Sequence, residues 1–190
     1  LRVQDEEISL NVPDVTKVVA VYESLDTTAP TLDVFEFTST ADVTNNAVIG
    51  ENFTGTDSKA IARVVTKPSA NRLGIVYLSP QKFNNNEEVT FDESNIVTNI
   101  QTIVTGNFKD VTNSFGLDKG QKDQYYDYSR LVRTKDSNIP SRRLLVVYDH
   151  YTIPTDDDGD VFTVLSYDSE RFTNDIPLIG KNQVRATDTL

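Results

Sequence analysis

Cysteine is absent from the 190-residue sequence, and histidine occurs once, at position 150. Without cysteine, the chain forms no disulfide, no thiolate nucleophile and no zinc site with cysteine ligands. A single histidine also excludes a multi-histidine metal site within one chain. A Ser–His–Asp triad would need His150 in an exposed cleft, but it follows an apolar run and stands between Asp149 and Tyr151. We therefore interpret His150 as a strand-end residue bonded to a neighbour.

Basic residues are also few, with 18 Lys and Arg against 29 Asp and Glu, which gives a net charge of -11. Nucleic acids and anionic membrane surfaces attract clustered basic side chains. The basic clusters in this chain, such as Arg142 and Arg143, lie among acidic residues. No apolar run approaches the roughly 20 residues that a membrane span requires. We therefore expect neither a nucleic-acid partner nor a membrane partner.

Long segments with apolar residues at helical spacing are missing, whereas β-branched and aromatic residues are frequent. The sequence therefore predicts an all-β fold, a β-sandwich with a small inserted β-barrel-like unit. Residues 1–46 and 95–190 would form the sandwich and residues 47–94 the insertion, because connections between consecutive β units are usually short. The predicted strands are Val15–Tyr22, Leu32–Phe37, Ala60–Val65, Leu73–Leu78, Val89–Phe91, Asn95–Gly106, Tyr126–Arg133, Leu144–Tyr148 and Val161–Tyr167.

Three local patterns carry further structural expectations. Leu144–Tyr148 is continuously apolar, which predicts a strand buried on both faces that pairs with Val161–Tyr167 in a hairpin. Phe108–Gln124 has no clean period and is predicted to be an ordered loop. Gly50–Phe53 and Asn86–Val89 resemble two copies of one turn that leads into a strand, a weak internal echo.

The acidic run around Gly159 is the sharpest metal-like pattern. Asp156, Asp158 and Asp160 could wrap a calcium ion, although the EF-hand spacing is not met. The reading we favour is a solvated hairpin tip, whose charges discourage edge-to-edge aggregation. We therefore expect neither a metal nor another cofactor.

A tyrosine-rich stretch follows Gly120. Tyr125, Tyr126 and Tyr128 could stack on a sugar or contact a partner. The favoured interpretation is structural, with buried rings and with Asp123, Asp127 and Arg130 pinning the loop through charge-assisted bonds.

The same region carries a resemblance to virion structural proteins of T4-like tailed bacteriophages, especially tail or baseplate proteins of cyanophage myoviruses. Leu144–Asp149 and Gly159–Val164 are similar to two strands of that family, Leu10–Val18 to its opening, and Gly50–Val64 to a further unit. The family's central motif is met by Phe115, Leu117, Asp118, Gly120, Gln121, Lys122, Asp123, Tyr125, Tyr126 and Asp127. A family segment expected after Leu190 is missing, and Leu1 is not Met, so the resemblance implies an internal fragment of a longer protein.

This resemblance implies a non-enzymatic structural component of a phage tail, baseplate or tail fibre. It would be assembled in the host cytoplasm and reside in the virion, with other virion proteins as partners and a homo-oligomer, such as a trimer, as a plausible state. The central motif would then be a scaffold. Two alternatives remain open: a receptor-binding adhesin that holds host glycan, and, more weakly, a glycan-degrading enzyme with two carboxyl groups facing each other across a groove.

Overall fold

The computed structural model describes residues 2–120 and 127–151, and within them regular structure consists almost entirely of strands. Helical structure in these ranges is limited to two single 3-10 turns and the four-residue helix Val43–Asn46. The predicted all-β class is therefore confirmed. The described strands are β1 (Glu7–Ser9), β2 (Val15–Ser24), β3 (Asp33–Phe37), β4 (Asn52–Gly55), β5 (Ile61–Ser69), β6 (Arg72–Tyr77), β7 (Glu88–Phe91), β8 (Val97–Val104), β9 (Phe108–Asp110), β10 (Phe115–Asp118), β11 (Arg130–Arg133) and β12 (Leu144–His150).

Six of these strands close into an antiparallel barrel in the order β3-β6-β5-β4-β7-β8. Side chains along β3 alternate between the interior and the surface of the barrel. Asp33, Phe35 and Phe37 are buried, while Val34 and Glu36 are half-exposed. Closure leaves no strand of the barrel with an unpaired edge. Its interior is filled by aromatic rings whose centroids lie 4.9–6.4 Å apart. These rings belong to Phe35, Phe37, Phe53, Phe83 and Phe91.

The barrel is larger than the predicted unit of residues 47–94. Strands β3 and β8 lie outside that range, yet both pair inside the barrel, with Phe35 opposite Leu73 on one side and Ile103 on the other. The predicted boundaries were therefore wrong, because closing the barrel requires partners for the free edges of β6 and β7. Strands β2 and β9, which flank the barrel in sequence, pair with each other.

The strands outside the barrel form two three-stranded sheets, ordered β1-β11-β10 and β12-β2-β9. Strand β2 runs through the middle of the second sheet, with Tyr22 opposite both Leu145 and Asp110. The ring of Tyr22 stacks on Phe108 with 3.9 Å between centroids. An ion pair also joins this sheet to the barrel, because Arg63 of β5 donates to Asp149 of β12 at 2.7 Å.

Two local predictions need correction. Strand β12 is half-buried along residues 144–149, not buried on both faces, and its predicted partner Val161–Tyr167 lies outside the described residues. Phe108–Asp118 contains β9 and β10 instead of a continuous loop. In each case, pairing with a strand distant in sequence sets the local conformation.

The barrel consists of two equivalent three-stranded halves, β3–β5 and β6–β8. Asn52 pairs with Arg63 between β4 and β5, and the residues 36 positions later, Glu88 and Asn99, pair between β7 and β8. Thr54 and Thr90, also 36 positions apart, pair with each other where the halves meet. This register is what an approximate two-fold axis between the halves produces. The echo between Gly50–Phe53 and Asn86–Val89 is part of this symmetry.

Candidate functional site

A tight closure joins the two ends of the loop between β10 and β11. The amide of Asp127 donates to the carbonyl of Gly120 at 3.0 Å, and the amide of Gly120 donates to Asp118 Oδ1 at 3.0 Å. Gly120 has φ +78°, and a Cβ there would lie 2.2 Å from the carbonyl oxygen of Asp127. Only glycine meets both conditions. The motif's glycine is therefore explained by backbone geometry alone.

Ser129 lies directly behind this closure and is fully buried. Its amide donates to the Val12 carbonyl at 2.9 Å, and its hydroxyl lies 3.2 Å from the Lys119 carbonyl and 3.3 Å from the Val15 amide. Ser129 therefore connects the loop to the start of β2. From the sequence, Ser129 is grouped only with the tyrosine-rich stretch, because a serine in a polar segment gives no signal of its burial.

Arg130 pins the same loop from the side. Its guanidinium pairs with Asp127 and, at 3.1 Å, with Glu7 of β1. The hydrogen bond to Glu7 and the negative charge of Asp127 raise the pKa of Arg130. The ion pair expected between Asp127 and Arg130 is present, whereas Asp123 lies outside the described residues. The described contacts of Gly120, Ser129 and Arg130 are thus internal to the chain.

Of the three candidate contact tyrosines, the structure describes Tyr128. Its side chain is 53% exposed, and its amide donates to Asp127 Oδ1 at 2.7 Å. The backbone at this position is therefore held while the ring faces solvent. Tyr125 and Tyr126 lie outside the described residues.

The calcium candidates Asp156, Asp158 and Asp160 also lie outside the described residues. Within residues 2–120 and 127–151, no group of three or more His, Cys, Asp or Glu side chains is arranged to hold a metal ion. His150 is exposed at the end of β12, where its Nδ1 lies 3.3 Å from the Tyr151 carbonyl. The prediction of a strand-end histidine bonded to a neighbour is therefore confirmed.

Two buried carboxylates, Glu51 and Glu87, are 1% and 3% exposed and would be the natural candidates for paired catalytic acids. Each carboxylate instead accepts hydrogen bonds from three backbone N–H groups. Glu51 accepts from Val48, Glu93 and Ser94, and Glu87 accepts from Asn84, Asp57 and Ser58. Burial by itself raises the pKa of Glu87, but the N–H groups of Asn84 and Ser58 hold that pKa below its usual value. A carboxylate held in this way is a structural anchor and a poor general acid.

An aromatic cleft of about 340 Å³ opens between the barrel and β9. Tyr77 lies on its wall with Lys82 Nζ 3.5 Å from the ring centroid, and burial raises the pKa of Tyr77 to about 12. Asp33, which also lines the cleft, accepts the Gly106 amide at 2.7 Å. Lys82 therefore contacts the Tyr77 ring and Asp33 bonds to the backbone, so both charged groups of the cleft make contacts within the chain.

Comparison with known proteins adds no relative. The chain matches no protein-family profile, no curated protein and no solved structure. Among the described residues, no helix is both long and apolar enough to cross a membrane.

Proposed function

We propose that this chain is a non-enzymatic structural component of a phage tail or baseplate, and that it is part of a longer virion protein. The observation that carries the proposal is the use of the central motif. The motif residues Gly120 and Asp127 are held by contacts within the chain, and Arg130, which follows the motif, pairs with Asp127. The described part of the motif thus stabilises a local shape, which is the role that the resemblance to phage tail proteins implies.

The partners in this proposal are other virion proteins, with a homo-oligomer such as a trimer as one form of assembly. The chain would be made in the host cytoplasm and incorporated into the particle. A cysteine-free, acidic, all-β chain is compatible with synthesis in the cytoplasm and later assembly into a particle. Its high net negative charge keeps the free protein soluble before assembly.

Receptor binding is the second candidate, and the exposed ring of Tyr128 is the observation that favours it. Aromatic faces stack on the apolar faces of sugars, and an exposed tyrosine on a rigid backbone loses little conformational entropy on binding. In this version the chain would hold host-surface glycan. Glycan-array binding that disappears in Tyr128→Ala but survives in Tyr151→Ala would favour it over the passive role.

Gold-labelled antibodies raised against this chain test the leading proposal on phage particles purified from lysed host cells. We expect gold particles on tails or baseplates in electron micrographs, and peptides of the chain in the mass spectrum of the same particles. Peptides found only in the particle-free lysate would refute virion association. Antibody that has been pre-absorbed with the purified chain serves as the control.

A further inference from the structure

An arginine-lined groove lies at the end of the β12-β2-β9 sheet. Three segments frame it: the start of the chain, the loop after β2 and the loop before β12. The groove has a volume of about 640 Å³. Its polar lining consists mainly of Arg2, Asp26, Thr27, Ser141, Arg142 and Arg143.

The backbone of the arginine loop is fixed by the last residues of β2. Glu23 Oε1 accepts the amides of Ser141 at 2.7 Å and Arg142 at 3.0 Å. The amide of Ser24 donates to the carbonyl of Arg143 at 2.9 Å. The two arginine side chains are exposed, so they project from a rigid base into solvent.

The described lining of this groove contains three arginines in a chain with a net charge of -11. Elsewhere, Arg63, Arg72 and Arg130 each pair with a carboxylate. By contrast, among residues 2–120 and 127–151 the guanidinium groups lining the groove form no ion pair.

Asp26, the acidic side chain among the described lining residues, is already engaged within its own loop. Asp26 accepts the Thr28 amide at 2.7 Å and the Thr28 hydroxyl at 2.6 Å. The same Thr28 hydrogen bonds lower the pKa of Asp26. In the described lining the three arginines therefore outnumber the carboxylate of Asp26. The nearby carboxylates of Glu23 and Asp5 accept backbone amides and form no ion pair with the three guanidinium groups.

We propose that this groove binds an acidic segment of a neighbouring virion protein. Guanidinium groups recognise carboxylates through paired N–H donors, and three of them on two segments suit an extended chain with several carboxylates. Nucleic-acid phosphates fit poorly, because the rest of this acidic chain would repel a long polyanion. The inference rests on the proposed virion role for the identity of the partner, whereas the ligand chemistry rests on the groove.

Fluorescence anisotropy with a labelled octa-glutamate peptide tests the groove at low salt. Arg142→Gln/Arg143→Gln keeps the backbone bonds to Glu23 and should weaken peptide binding about tenfold, as expected for two exposed ion pairs. Lys109→Gln/Lys135→Gln removes the same amount of charge from exposed positions elsewhere. This control should change binding less than twofold. Thermal unfolding of both variants verifies that they are folded.

If the two double variants weaken peptide binding equally, the groove is not the binding site, because the peptide is then attracted by general charge. Equal binding of a Ser-Gly peptide of the same length would also overturn the proposed site. Self-association in light scattering that the arginine variant abolishes would assign the groove to a second copy and refute the neighbouring-protein partner. Gold labelling of virions is independent of all these outcomes, so failure of the groove and failure of the virion role are distinguishable.

Discussion

Glu51 and Glu87 are symmetry mates in the two halves of the barrel, and each carboxylate ties its own half to the other. Each accepts the amide three residues before it, from Val48 or Asn84. The other oxygen accepts two consecutive amides from the opposite half, at positions 93–94 for Glu51 and 57–58 for Glu87. Every donor to Glu87 is thus the equivalent, 36 positions away, of a donor to Glu51.

Replacing either carboxylate with an amide should destabilise the barrel. In Glu51→Gln or Glu87→Gln, the amide NH₂ would face N–H donors and one oxygen would be lost. We expect a loss of about 1.5–3 kcal/mol in the free energy of unfolding, the usual contribution of hydrogen bonds to charged groups. Urea unfolding measures it. Glu88→Gln, at the exposed neighbour of Glu87, removes the same charge and should cost less than about 0.5 kcal/mol. Equal losses at positions 87 and 88 would contradict the anchoring role.

The stabilisation by Glu87 should depend on pH. Its folded-state pKa is lowered from an ordinary value of 4.5, so its contribution is present above that value and is lost as pH falls through the folded-state pKa. The stability difference between the wild-type protein and Glu87→Gln should therefore be constant near neutral pH and shrink below about pH 4.5. Urea unfolding of both proteins over a pH series measures the difference. A difference that persists undiminished at the acid end would show that Glu87 acts through packing instead of charge.

Gly120→Ala should destabilise the closure between β10 and β11. The positive φ and the approach to the Asp127 carbonyl both penalise a Cβ. We expect a cost of about 1–3 kcal/mol. Gly116→Ala is the matched control, because a Cβ there would meet only the Val132 carbonyl, at 3.9 Å. Thermal or urea unfolding compares the two variants. If they unfold alike, Gly120 is not required by its geometry.

The ion pair between Arg63 and Asp149 should couple β5 of the barrel to β12. Its side chains are 22% and 37% exposed, so solvent screens part of the attraction. A double-mutant cycle with Arg63→Gln and Asp149→Asn should give a coupling energy of about 0.5–1 kcal/mol, which falls at high salt. The more exposed pair of Arg72 and Glu36 should give a smaller value in a parallel cycle. The reverse ranking would contradict the assignment of Arg63 as the stronger link.

Local side-chain chemistry was sufficient to predict the secondary structure of much of the chain. The β-branched run of Val15–Tyr22 and the alternation of Asp33–Phe37 each favour a strand whatever its partner is, and both are strands. The spacing of Gly50–Phe53 and Asn86–Val89 also reveals part of the repeat. Strand propensity and local turn chemistry are properties of neighbouring residues, so they can be read in one dimension.

The closure of the barrel and the environment of its polar groups were decided by tertiary structure. Nothing within β3 or β8 identifies the other as its partner, because pairing depends on edges left free by distant strands. In the same way, burial distinguishes Glu87 from the exposed Glu88 beside it. Arg142 and Arg143 lie among acidic residues in the sequence, and only the folded chain places them in one groove with Arg2. Charge and hydrogen bonding act through space, and only the folded chain sets those distances.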